Sequence, residues 1–126
     1  MIDTSSYVYQ DSVWQDIYTC LAQAGYEVYS PSIKVGECTS KYIVIRSDGT
    51  SRHPTFSTDE ELYSVMCYVP KQAYSSLEPF VRDVKNTLSG LKPLIRPTGN
   101  QTPSYYDDTY KAHMVSIEYK NYKKVI

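Results

Sequence analysis

Between Leu77 and Leu91 the apolar residues Leu77, Phe80, Val81, Val84, Leu88 and Leu91 recur at intervals of three and four. That spacing predicts an amphipathic helix with one apolar stripe, lying over polar Arg82, Asp83, Lys85 and Asn86. A helix of this kind cannot stand alone and needs a second layer to cover the stripe. Ser75-Ser76-Leu77-Glu78 matches a capping box, Pro79 is tolerated in the first turn, and Gly90 and Pro93 end the segment. From His113 to Tyr122 the period changes to two, with Val115, Ile117 and Tyr119 on one face and Ser116, Glu118 and Lys120 on the other. That alternation predicts a half-buried strand, which supplies the covering layer.

The remaining segments fit the same plan. A first helix is expected from about Asp11 to Ala24, capped by Asp11 or Ser12, with Val13, Trp14, Ile17, Tyr18 and Leu21 at helical spacing and Gly25 as its stop. Tyr26–Tyr29 reads as a short strand, and 30–40 as a loop. Lys41–Arg46 reads as a strand, with Asp48-Gly49 as a tight hairpin turn. Residues 50–58, with Pro54, are expected to be ragged or an edge, and Leu62–Val69 a strand stopped by Pro70. Leu94 and Ile95 are expected in a short strand, and 97–111 in a long, mobile polar loop. The order predicts one α+β domain over residues 1–126: a mostly antiparallel, mixed sheet of four to five strands with both helices on one face.

Its 126 residues suffice for one core, and 41% hydrophobic with 21% charged residues is a globular balance. A net charge of −1 argues against binding DNA or an anionic membrane by bulk charge. No apolar run is long enough to span a bilayer, and Met-Ile-Asp-Thr-Ser-Ser lacks the features of a secretory signal. Cys20, Cys38 and Cys67 show no Cys-x-x-Cys spacing and are expected as free thiols from a reducing compartment.

No sequence motif carries catalysis. Phosphate-loop, dinucleotide, serine-hydrolase and zinc-protease patterns are missing, so no enzyme and no cofactor are expected. His53 and His113 are read as structural or solvated. Asp59-Glu60-Glu61 and Asp107-Asp108 have the chemistry for a hard cation but are more simply solvated faces. Lys120-Asn121-Tyr122-Lys123-Lys124 mixes base and aromatic like a nucleic-acid stripe, and is better read as lysines guarding an edge strand. The outlier is tyrosine, 14 against two Phe and one Trp. Its amphipathic ring suits a half-exposed sheet face or an interface, although tyrosine also simply favours strands.

Four stretches, AQAGYEVY, GECTSKYIVIRSDGTSRHPTFST, YVPKQAYSSLEPFVRDVKNTL and PTGNQTPSYYDDTYKAHMVSIEYKNYKK, cover most of the chain. In their order they resemble the tail-terminator (tail-completion) proteins of long-tailed phages or prophages of Gram-positive hosts. The resemblance implies a ring homo-oligomer, commonly a hexamer, that caps the tail tube and joins it to the head. Its partners would be the tube protein and the head–neck connectors. It would be assembled in the bacterial cytoplasm and located in the virion, with DNA passing through the ring. No site residues come with the resemblance. From the residues themselves, Tyr105, Tyr106, Asp107, Asp108 and Tyr110 in the long segment, with Lys120, Tyr122, Lys123 and Lys124, are the expected subunit or partner contacts. Another head–tail connector component, or a small ligand-binding domain or enzyme with an unrecognised site, is the alternative.

Overall fold

The computed structural model describes residues 12–52 and 58–124. Helix α1 (Val13–Gln23) starts where the sequence directs: Ser12 is extended, its hydroxyl accepts from the Gln15 amide, and Gln15 returns a bond to the Ser12 amide. Asp11, the other expected cap, lies outside the described residues. The helix ends at Gly25, whose φ of +97° carries the chain out of the last turn. A short strand β1 (Val28–Tyr29) follows, then a loop, β2 (Tyr42–Arg52) and β3 (Thr58–Pro70). A 3₁₀ segment, Lys71–Ser76, leads into α2 (Leu77–Leu88), and β4 (Arg96–Gln101), β5 (Tyr105–Asp107) and β6 (Ala112–Lys124) complete the chain.

Among the described residues, six strands form one mixed sheet in the order β1-β2-β3-β6-β4, with β5 also paired to β6. The β1–β2 pair is parallel and the others are antiparallel. The α+β expectation holds, with more strands than expected. Both helices pack on one face, over Ile43 and Ile45 of β2, Val65 and Cys67 of β3, and Val115 and Ile117 of β6. Every residue of the α2 stripe is buried there, each contributing about 1.5–3 kcal/mol of gross burial energy. On α1, the Trp14 indole N–H donates to the Ile45 carbonyl at 2.8 Å, which ties that helix to β2.

Several local expectations are corrected. Asp48-Gly49 makes no hairpin turn. The register passes from Ser47↔Tyr63 to Gly49↔Leu62, so Asp48 is an extra residue in a β-bulge and β2 runs on to Arg52. Turn and bulge need the same residue chemistry, because Gly49 takes φ +102° in either setting. The Asp48 carboxylate then accepts from Arg46 at 2.7 Å and from the Ser64 hydroxyl. Gly49→Ala is expected to cost about 1–2 kcal/mol from backbone strain alone, read as a lower denaturant midpoint with unchanged slope. The β2–β3 connection, with His53 and Pro54, lies outside the described residues.

Ser75 does not cap α2. Ser76 has helical angles and its hydroxyl donates to the Ala73 carbonyl, so the helix grows out of the 3₁₀ segment without a side-chain cap. The expected strand at Leu94–Ile95 begins instead at Arg96. The expected loop at 97–111 contains most of β4 and all of β5. Its largely exposed edge position explains why no apolar alternation announced it. Nor is β6 an edge over most of its length. Strands β3 and β4 run parallel and are linked through α2, and β6 fills the gap between them. Past Lys120, β6 pairs with β3 while no pairing to β4 is found among the described residues.

Candidate functional site

The helix-free face of the sheet carries a second, smaller core. Tyr42 and Val44 of β2, Met66 and Tyr68 of β3, and Ala112 and Met114 of β6 are buried together with Cys38. The 30–41 loop crosses this face, pinned where the Cys38 amide donates to the Tyr110 carbonyl at 2.7 Å. Tyr42 stacks on Tyr68 at 4.8 Å, while Tyr29 and Tyr110 meet this pair edge-on at 5.7 and 6.1 Å. The Lys34 ammonium lies 5.5 Å from the Tyr29 ring and 5.6 Å from the Tyr42 ring. Burial pushes the Tyr68 phenol up to about 12, and raises those of Tyr42 and Tyr119 as well. Tyr110, half-buried, packs against this second core.

The rest of the acidic-aromatic segment gathers at the β5 edge, where the pairing Tyr105↔Met114 and Tyr106↔His113 fixes it to β6. His113 lies between two rings, 4.7 Å from Tyr74 and 5.2 Å from Tyr106, and its Nε2–H donates to the Lys71 carbonyl at 3.2 Å. Tyr74 bonds Ser104 through their hydroxyls at 3.0 Å, and the Lys71 ammonium sits 5.8 Å from the Tyr106 ring. These contacts hold the Tyr74 and Tyr106 rings against His113 while leaving them 54% and 37% exposed; Tyr105, 47% exposed, pairs with Met114 and so lies on the helix-free face. Asp107 and Asp108 shape the turn behind them. Asp107 accepts from the Thr109 amide at 2.9 Å, and Asp108 pairs with Lys111 at 2.9 Å, a bond that raises the lysine's affinity for its proton.

Beside this patch, a cleft of about 570 Å³ separates α2 from the β4–β5 link. Leu77, Val81 and Val115 line it together with Tyr74, and Gln101 and Ser104 contribute from the link side. Glu78, Arg82 and Lys85, on successive turns of α2, add charge.

The lysines expected as partner contacts lie away from this patch. Ala112, at β5, and Lys120 are eight positions apart along β6, roughly 26 Å at the usual rise of a strand. The register sets Asp59 opposite Arg52 on one side and Lys123 on the other, and Glu60 opposite Tyr122; Lys124 pairs with Thr58. Sequence reasoning had not placed Tyr74 or His113 in the patch, nor the α2 positions in the cleft. Tyr74 had left one signal, as an aromatic residue just ahead of the apolar stripe it does not join.

Among the described residues, no group of three or more His, Cys, Asp or Glu side chains is placed to hold a metal ion. Among them, too, no helix is long and apolar enough to cross a membrane. No protein-family model matches the chain, and no curated protein matches it.

Proposed function

We propose that the chain is a structural subunit that closes into a ring, capping a phage tail tube and joining it to the head like the tail-terminator proteins it resembles. The observation that carries the assembly part of this reading is the surface at β5, where exposed Tyr74 and Tyr106 flank His113 on one face and exposed Tyr105, opposite Met114, lies on the other. Half-exposed tyrosines fixed by their own neighbours lose little side-chain freedom on binding, and tyrosine is enriched among the residues that dominate interfaces. A ring needs a heterologous contact between two different patches of the same subunit. A sheet whose edge strand β5 and basic β6 tail lie far apart offers chemically different surfaces for that purpose. The tail-tube role rests on the resemblance.

Light scattering and negative-stain imaging over a concentration series test the reading. Rings are expected for the wild-type chain, alone or on isolated tail tubes. The Tyr105→Ala/Tyr106→Ala pair is expected to raise the assembly concentration at least tenfold, about 1.4 kcal/mol, with an unchanged circular dichroism spectrum. A wild-type chain that stays monomeric throughout and ignores tail tubes would sink the proposal.

A further inference from the structure

The cleft under α2 has a counterpart on the same chain. Within the polar 30–41 loop, Ile33 and Val35 are 63% and 74% exposed, more than any other large apolar residue among those described. The tip that carries them is built rather than loose. Ser32 and Gly36 adopt φ of +69° and +86°, Lys34 is held over Tyr29 and Tyr42, and Cys38 anchors the far end on Tyr110. Exposed apolar side chains at a fixed tip lose water when covered and pay little ordering entropy.

Tip and cleft cannot meet within one molecule. Pro31, Ser32 and Lys34 lie over the helix-free face, against Tyr42, Val44 and Met66, whereas the cleft opens beside α2 on the opposite face. Their charges also match. Half-exposed Lys34 is directed over its own tyrosines and Glu37 is exposed two residues beyond Val35; the cleft has Arg82 and Lys85 against the single carboxylate of Glu78. Tyr74 belongs to both the cleft and the aromatic patch, which makes the two surfaces continuous.

We infer that the Ile33–Val35 tip of one copy seats in the α2 cleft of a second copy, with Glu37 facing Arg82 and Lys85. This deepens the ring reading and rests on it, because a contact between two different patches propagates until the ring closes.

Sedimentation of the full chain, with folding checked by circular dichroism, supplies the test. Ile33→Asp/Val35→Asp changes exposed positions only and is expected to weaken association about thirtyfold or more, the loss typical of a buried anchor. Arg82→Glu/Lys85→Glu should weaken it too, and adding Glu37→Lys should restore part of the loss. A Val35→Cys chain mixed with a Ser104→Cys chain should give a disulfide-linked dimer that neither forms with the wild type, the native cysteines being buried. Assembly of the Ile33→Asp/Val35→Asp chain at wild-type concentration would overturn the seat and leave the ring standing. A wild-type chain that never associates would overturn both.

Discussion

Replacing Tyr42 with alanine is expected to destabilise the protein by about 3–5 kcal/mol, the range for removing a large buried aromatic side chain. Tyr42 is 2% exposed and stacks on Tyr68, with Tyr29 edge-on and Lys34 above it. Its loss would leave a cavity under the 30–41 loop, on the face that carries no helix. Chemical denaturation measures the effect. Hydrogen exchange adds a specific signature, since amides near the Cys38–Tyr110 anchor should lose protection in the variant. A cost below about 1 kcal/mol, within the scatter of surface substitutions and small truncations, would mean that the second core contributes little.

Alkaline unfolding is the other large effect. Burial pushes the Cys20 thiol up to about 11 and that of Cys67 to about 12, from an ordinary 9.0. It also pushes the Tyr63 and Tyr68 phenols to about 12, from 10.0. Above about pH 9 the unfolded chain releases protons that the folded chain retains, so the folded state binds more protons and stability falls as pH rises. The contribution is complete below the unfolded values, declines from about pH 9, and is lost by about pH 12. Each such group adds a slope of up to about 1.4 kcal/mol per pH unit between its two values. Denaturant midpoints taken in half-unit steps, with tyrosinate absorbance followed in parallel, would trace this decline. Tyr68→Phe should flatten it by one group's share. A midpoint that stays constant through about pH 11 would contradict the burial of these groups.

The two patches bear differently on the proposed assembly. The β5 edge presents Tyr106, held beside His113, whereas Pro97 and the irregular register between Pro97 and Gln101 interrupt the neighbouring β4 edge. Prolines and bulges on an edge strand discourage open-ended strand addition. A contact made by side chains in a cleft is consistent with that, because it has a defined geometry and can close. The alternative of a small-ligand site would draw on the same cleft, and the Ile33→Asp/Val35→Asp variant separates the two by leaving the cleft intact.

Much of the architecture was written in periodicity. The α2 stripe, the alternation of β6 and the cap at Ser12 are local patterns whose physics acts within a turn or two of the chain, and each appears where expected. Asp48-Gly49 misled because a glycine that accepts positive φ serves a bulge as readily as a turn. The 97–111 segment misled because an edge strand need not alternate. The tyrosines divide by place: Tyr63 and Tyr119 sit in the helix-side core, Tyr42 and Tyr68 in the second core, and Tyr105 and Tyr106 at the surface.

Both helices, the long strands β2, β3 and β6, the apolar face of α2 and the α+β class were legible locally, because they depend on neighbours within a few residues. Only the tertiary structure decided that the last strand lies inside the sheet. It alone decided that Lys123 falls opposite Asp59, that Tyr110 packs against the second core, and that Tyr74 and His113 join the patch at β5. Such juxtapositions come from strand order and register between segments tens of residues apart, set by how α2 bridges β3 to β4, and no local pattern encodes them.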